Sequence, residues 1–156
     1  MLYWEDFTVG RKMEFGAMEV TEEDIIEYAT EFDPQSFHID KEAASEHFFG
    51  GIIASGWHTA AMCMRMMVDG YLNNSATMGS PGVEQLRWKK PVRPGETLHV
   101  TAEITDRSLP RSKLELGFVK FSHIVCNQDG EVKMTMISSG MFLRKPSKIS
   151  VQETSQ

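Results

Sequence analysis

The alternation of apolar and polar side chains predicts a strand and then a helix in the first part of the chain. Residues 12–17 alternate with a period of two, which is typical of a half-buried strand of about six residues. The sequence Thr-Glu-Glu-Asp at 21–24 has the form of a helix start, and apolar residues recur at helical spacing from Ile25. The Asp33-Pro34 step should end this helix, because proline disfavours a helical conformation in the residue before it.

A longer helix is predicted at 57–72, where apolar residues occupy nearly every side. A helix of this kind is typically buried rather than amphipathic. Four methionines fall within 62–67, which suits either plain core packing or an adaptable wall for a flexible ligand. Ser55 is a plausible N-cap for this helix, and a shorter helix is expected at 41–47.

The rest of the chain has the pattern of strands separated by turns. The predicted strands are 85–89, 98–105, 114–121 and 132–143. In the third of these, the apolar phase shifts near Gly117, which indicates a bulge. Residues 1–11 have the pattern of a lead-in to the first strand.

This order of elements predicts an α+β fold in a single domain at 1–146, followed by a polar tail at 147–156. A sheet that wraps around the apolar helix would bury that helix on most sides. The arrangement is the hot-dog fold, in which a curved antiparallel sheet encloses a long central helix.

Composition and charge narrow the classes of function. The chain has 156 residues and a net charge of −6, which argues against nucleic-acid binding. Cys63 and Cys126 lie in apolar surroundings and are expected to be free thiols in a reducing compartment. No cysteine or histidine spacing in the sequence is typical of a metal site, so no metal is expected. We find neither a signal peptide nor a membrane-length apolar run, and expect a cytoplasmic protein without a membrane partner.

The clearest candidate chemistry lies where the first helix should end. Asp33 and His38 lie five residues apart across a proline, and a carboxylate with an imidazole can act as general acid and base. The alternative interpretation is structural, with Asp33-Pro34 merely ending a helix and His38 lying on the surface.

Three blocks of sequence resemble the MaoC-like dehydratases, which are relatives of the (R)-specific enoyl-CoA hydratases. They include F-D-P-Q-S-F-H at 32–38, F-G-G-I-I-A-S-G-W-H-T-A at 49–60 and P-V-R-P-G-E-T-L at 91–98. The resemblance extends over about residues 10–143. It implies the hot-dog fold and an enzyme that interconverts a 2-enoyl-CoA and a 3-hydroxyacyl-CoA.

The resemblance also implies roles for particular residues. By the spacing of the family's D-x-N-P-x-H motif, the catalytic aspartate and histidine fall on Asp33 and His38. The backbone N–H that binds the thioester oxygen, at the start of the family's central helix, falls on Gly56. Gln35 and Ser36 stand where the family motif has Asn-Pro. This departure affects the expected identity of the substrate more than the expected reaction.

Substrate contacts are expected around the start of the long helix. The expected residues are Ser55, Trp57, His58, Met62 and Arg87. CoA or a carrier's pantetheine belongs to the implied substrate, and no other cofactor is expected. The basic residues at 87–93 either contact its phosphates or keep a strand edge soluble. Met64 stands where some family members carry a serine, and this departure leaves the acyl group open.

Two other functions stay open. A hot-dog thioesterase would add water to the thioester carbonyl instead of C3, and it often relies on a carboxylate too. A non-catalytic acyl-ligand-binding protein could keep the same scaffold. The resemblance, together with the unpaired edges of an open sheet, leads us to expect a homodimer or higher homo-oligomer.

Overall fold

The computed structural model describes residues 1–113 and 115–146 and shows an antiparallel sheet with a long helix packed against it. The helices are α1 (Glu22–Phe32), α2 (Ser36–Ile39), α3 (Lys41–Glu46) and α4 (Gly56–Gly70). The strands are β1 (Lys12–Glu19), β2 (Gly82–Trp88), β3 (Thr97–Ser108), β4 (Leu116–Cys126) and β5 (Val132–Leu143). Their order in the sheet is β1-β3-β4-β5-β2, which confirms the predicted α+β hot-dog fold. The predicted tail at 147–156 and Leu114 lie outside the described residues.

The first helix forms where the sequence predicts it. The Thr21 hydroxyl caps α1 by accepting a hydrogen bond from the backbone amide of Asp24 at 3.1 Å. The helix ends at Phe32 because the following residue, Asp33, precedes Pro34 and leaves the helical conformation. Asp33 therefore takes the C-cap position, with its side chain beyond the helix end.

The segment from Asp33 to His38 is partly helical, not the loop that the sequence predicts. Helix α2 begins at Ser36 and contains His38, whose amide donates to the Gln35 carbonyl at 2.9 Å. This single turn buries the imidazole. The short helix, rather than a proline loop, thus sets the direction of the His38 side chain.

Helix α4 is buried on one face, so the prediction of a helix buried on nearly all sides is wrong for the single chain. Its core face carries Met62, Cys63 and Met66. On the opposite side, Trp57 is 62% exposed and Met64 is 47% exposed. The five strands cover only the first of these faces, which leaves an apolar side open to a ligand or a second chain. No helix in the described part of the chain is long and apolar enough to cross a membrane.

Phe7 places part of the segment 1–11 in the core, although the sequence suggests only a lead-in to the first strand. The Phe7 side chain is fully buried, and its ring lies 4.3 Å from that of Phe142 and 5.8 Å from that of Phe121, between centroids. Trp4 donates from its indole nitrogen to the Phe118 carbonyl at 3.0 Å. These contacts fasten the start of the chain to β4 and β5.

The predicted bulge at Gly117 is not formed. Strand β4 alternates between buried and less buried residues from Leu116 to Val125, and neither of its register shifts, opposite Ile104–Asp106 of β3 and at Val125–Cys126, lies at Gly117. Gly117 is buried under the Trp4 ring, and a Cβ there would lie 2.4 Å from the indole nitrogen. Leu116 lies on the less buried face, so its apolar character created the apparent phase shift.

We expect Phe7→Ala to lower the free energy of unfolding by about 3–5 kcal/mol, because it empties the centre of the aromatic cluster. Urea unfolding followed by circular dichroism measures this change. Val9→Ala alters a largely exposed side chain and should change the same free energy by less than about 0.5 kcal/mol. A loss below about 1 kcal/mol for Phe7→Ala would mean that this segment contributes little to the core.

Candidate active site

The ends of α1 and α2 bring Asp33 and His38 together. Asp33 caps α1, His38 lies in α2, and the distance from His38 Nε2 to Asp33 Oδ2 is 3.3 Å. The imidazole is almost fully buried, whereas 20% of the Asp33 side chain is exposed. The two residues that the sequence singles out for chemistry therefore form one pair, which can be reached from the carboxylate side.

A hydrogen bond fixes the direction of the His38 imidazole. His38 Nδ1 lies 2.6 Å from the carbonyl oxygen of Ile53, which can only accept a hydrogen bond, so Nδ1 carries a proton. In the neutral imidazole with that tautomer, Nε2 has a lone pair that would face a lone pair of Asp33. Nε2 is therefore the nitrogen that faces Asp33 Oδ2, and the two atoms are placed to exchange a proton.

Two further donors hold the Asp33 carboxylate. Gln35 donates from Nε2 to Oδ1 at 2.8 Å, and Ser55 donates from Oγ to Oδ2 at 2.7 Å. Burial acts to raise the pKa of Asp33, but the Ser55 and Gln35 hydrogen bonds and the neighbouring His38 outweigh it and lower the pKa below its usual value. Asp33 is therefore ionised at neutral pH, which makes it the base of the pair.

Ser55 takes the N-cap position of α4 but does not cap the helix. Its buried hydroxyl donates to Asp33. The predicted N-cap position is confirmed, and the predicted contact of Ser55 with substrate stays a prediction. The amide of Gly56, the first residue of α4, has no partner inside the helix and none elsewhere among the described residues. The dipole of α4 gives this free N–H a partial positive charge.

His38 and Gly56 line the same cavity, which we call the His38 cavity and which has a volume of about 330 Å³. Its other lining residues are Phe37, Phe49, Ile53, Ala54, Thr59, Trp88, Lys89, Lys90, Pro91 and Val92. The Trp88 indole packs on Gly56, where a Cβ would lie 2.4 Å from ring atom Cε2. Glycine is therefore required at this position by the tryptophan beside it.

A second cavity begins at the next residue of α4. It has a volume of about 590 Å³ and a mainly apolar lining, and we call it the methionine cleft. Its walls include Trp57, Ala60, Met64, Met67, Leu86 and Met136. Met62, which the sequence predicts as a substrate contact, lies on the core face of α4 and lines neither cavity.

Two other predicted substrate contacts lie away from both cavities. His58 is buried and stacks on Tyr28 of α1, with ring centroids 4.5 Å apart. Burial lowers the pKa of His58, which suits a neutral packing residue. Arg87 is exposed and lines neither cavity. Within the described ranges, no group of three or more His, Cys, Asp or Glu side chains is placed to hold a metal ion.

Basic side chains form one side of the His38 cavity. Lys89 and Lys90 both line it, and Lys90 is paired with Glu131 at 2.9 Å. The Lys89 side chain makes no hydrogen bond or ion pair within the described residues. Behind them, the buried Lys133 donates to the Pro91 carbonyl at 3.0 Å and so holds this wall in place. Sequence patterns gave no sign of that role for Lys133.

The fold and the site together define a class, namely a hot-dog protein with an acid–base pair beside the free amide of its central helix. The chain belongs to the MaoC-like domain family, whose model matches residues 6–127. An uncharacterized protein of Bacillus subtilis (strain 168), YdeM, is 33% identical over 119 residues, which cover 76% of this chain and 84% of that protein.

Solved structures agree with this assignment. The crystal structure of the MaoC-like dehydratase from Rhodospirillum rubrum matches with a TM-score of 0.87 and 37% identity, over 94% of this chain and 99% of that chain. The unliganded R-hydratase PhaJ1 from Pseudomonas aeruginosa shares the fold, with a TM-score of 0.74 and 22% identity over 99% of this chain and 96% of that chain. The family predicted from the sequence is therefore confirmed.

Removing the Ser55 hydroxyl should raise the pKa of Asp33, because a donor that stabilises the carboxylate is lost. In Ser55→Ala, the carbon-13 NMR titration of the Asp33 carboxyl should move to higher pH. A carboxylate whose pKa is lower in the folded state stabilises the protein at pH values above its unfolded-state pKa. That stabilisation is lost as the pH falls through the folded-state pKa. Ser55→Ala should therefore lose less stability on acidification than the wild type. Ser45→Ala, which removes a surface hydroxyl bonded to the Glu42 carbonyl, should leave the Asp33 titration unchanged. An unshifted titration in Ser55→Ala would contradict the assigned hydrogen bond.

Proposed function

We propose that the protein is a hydratase or dehydratase of acyl thioesters, which interconverts a 2-enoyl-CoA and a 3-hydroxyacyl-CoA. The observation that carries this proposal is the contact of Asp33 with His38, which lines a cavity that the free amide of Gly56 also lines. The reaction needs a proton acceptor, a proton donor and a group that stabilises negative charge on the thioester oxygen. Membership of the MaoC-like family supports the same reaction class.

In the hydration direction, a water molecule adds to C3 of the enoyl group. One O–H bond breaks as the C3–O bond forms, and Asp33 accepts the released proton. The electrons of the C2–C3 double bond move towards the thioester oxygen, and C2 then takes one proton from the pair, which ends with the proton count it began with. Because Nε2 and Oδ2 are only 3.3 Å apart, the water would lie against both atoms and not between them.

The Gly56 amide would stabilise the negative charge on the thioester oxygen. It points out of the start of α4 with the helix dipole behind it, and it has no competing partner among the described residues. Loss of one such donor typically costs about 10²–10³ in rate. General acid–base help from the pair is worth about another 10²–10⁴.

The surroundings of the pair suit the two ends of an acyl-CoA or an acyl carrier. The methionine cleft offers an apolar wall for the acyl chain, and its volume of about 590 Å³ falls in the range of small-molecule sites. Lys89, at the side of the His38 cavity, suits a phosphate of CoA or of a carrier's pantetheine. No cofactor beyond that group of the substrate is proposed.

We expect Asp33→Asn and His38→Ala each to lower the rate of enoyl-CoA hydration by about 10²–10⁴, because each removes one half of the proton pair. The loss of enoyl absorbance with crotonyl-CoA measures the rate. Asp69→Asn and His99→Ala alter exposed residues outside the site and should leave the rate unchanged. Near-normal hydration by Asp33→Asn would contradict the mechanism.

A free-thiol assay on the same samples separates the rival functions. Release of CoA thiol without loss of the enoyl group would identify a thioesterase. Binding of acyl-CoA without either reaction would identify a non-catalytic ligand-binding protein. The hydratase predicts loss of enoyl absorbance with the thioester intact.

We also propose a homodimer that forms through β2. Among the described strands, β2 pairs only with β5, so its other edge has free backbone groups. Beside this edge, Val83 is 53% exposed and Trp88 is 47% exposed. The open side of α4, with Trp57 and Met64, continues the same apolar surface across the methionine cleft. A second chain paired along β2 would cover this edge and Val83.

Light scattering at micromolar concentration should therefore give twice the 17.7 kDa mass of one chain. Val83→Lys should shift the mass towards the monomer, because it places a charge in the proposed contact. Leu109→Lys, at another exposed apolar position away from β2, should keep the dimer. A monomeric wild-type protein would contradict the proposal.

A further inference from the structure

Trp88 stands at the boundary between the two cavities. Its indole lines the His38 cavity and packs on Gly56, where even a Cβ atom would meet ring atoms at 2.4–2.9 Å. Leu86 lies two residues earlier on the same face of β2 and lines the methionine cleft instead. On β2, the boundary between the His38 cavity and the methionine cleft therefore lies between Leu86 and Trp88.

Helix α4 also faces both cavities, with Gly56 and Thr59 on the His38 cavity and Trp57 and Ala60 on the methionine cleft. The Trp57 and Trp88 rings meet edge to face, with centroids 5.2 Å apart and planes at 81°. This tryptophan pair therefore forms the boundary from the helix side to the strand side.

We infer that Trp88 determines which acyl chains the protein accepts, by separating the thioester end of the site from the methionine cleft. This inference rests on the proposed function, because it takes the thioester to lie at Gly56 and His38. A short acyl group fits within the His38 cavity. A longer chain has to pass the indole to reach the apolar cleft beyond it.

The setting of Trp88 allows a side-chain substitution to open this boundary. The indole is about half exposed, and its N–H makes no hydrogen bond within the described residues. Its ring is held by contacts with Gly56 and Trp57. Truncation of the ring would therefore join the two cavities and leave the proton pair untouched.

The first test compares two enoyl-CoA substrates, crotonyl-CoA and 2-octenoyl-CoA. In Trp88→Ala, the ratio of kcat/KM for 2-octenoyl-CoA to that for crotonyl-CoA should rise at least about tenfold over wild type, since apolar pocket contacts discriminate by about that factor or more. Trp88→Phe, which keeps a ring, should give a smaller rise. A ratio within twofold of wild type in Trp88→Ala would overturn the inference.

A second measurement does not depend on turnover. Titration calorimetry with the saturated butyryl-CoA and octanoyl-CoA should show at least about tenfold tighter octanoyl-CoA binding in Trp88→Ala, with butyryl-CoA changed far less. If Trp88→Ala gains affinity for octanoyl-CoA but neither it nor the wild type hydrates an enoyl-CoA, the proposed function fails and the inference stands. If wild type hydrates crotonyl-CoA but Trp88→Ala changes neither the kcat/KM ratio nor the affinity for octanoyl-CoA, the inference alone fails. If neither acyl-CoA binds, both fail.

Two controls keep these results tied to the cavity boundary. Ile124→Ala removes an exposed apolar side chain on β4 outside both cavities and should leave both ratios unchanged. Trp88 lies on the strand proposed to form the dimer, so light scattering must give the same mass for variant and wild type. Trp88→Leu replaces the alanine variant if that one unfolds or changes mass, and the same tenfold criterion applies to it.

Discussion

The hydrogen bond between His38 Nδ1 and the Ile53 carbonyl is the contact on which the site depends. It fixes the imidazole tautomer and thereby turns Nε2 towards Asp33. Residues 53 and 54 hydrogen-bond to both sides of the site. The Ile53 amide donates to the Phe37 carbonyl at 3.3 Å, and the Ala54 amide donates to the Val92 carbonyl at 2.9 Å. The stretch that leads into α4 thus joins the proton pair to the opposite wall of the His38 cavity.

Ser55 links the two chemical parts of the site. Its hydroxyl could cap α4, an interaction typically worth about 1 kcal/mol, but it bonds to Asp33 instead. The helix start therefore keeps free amides, the first of which belongs to Gly56. One side chain lowers the pKa of the base and leaves the anion-binding end of α4 open. This arrangement gives up some helix stability at the place where the proposed reaction needs a donor.

The sequence predicts local features of this protein well, because they depend on neighbouring residues. The start of α1 at Thr21 and its end before Asp33 follow from capping and proline chemistry, and both are confirmed. Spacing and resemblance predicted that Asp33 and His38 act together. They did not predict that the two side chains touch, because that contact depends on the turn of α2. The Ser55 contact to Asp33 spans 22 residues and involves no periodic pattern, so it could not be found in the sequence.

Errors in prediction arose where burial depends on distant elements. Apolar residues on every side of α4 suggested full burial, but periodicity does not tell how many strands will cover a helix, and Met64 is left exposed. Leu116 suggested a bulge in β4 because it is apolar on the less buried face. Phe7 gave no periodic signal at all, yet it lies in the centre of the core. In each case the deciding contact is made by residues far away in the chain.

The departures from the family motif leave the contact of Asp33 with His38 in place. Gln35 stands at the motif's asparagine and donates its side-chain amide to Asp33. Ser36 stands at the motif's proline, but it is the first residue of α2, a position that proline favours for helix initiation and that serine can also fill. Met64 has a different consequence, because it lines the methionine cleft and not the pair. Gln35 therefore adds a hydrogen bond to Asp33, whereas Met64 forms part of the wall that an acyl chain would meet under the proposed function.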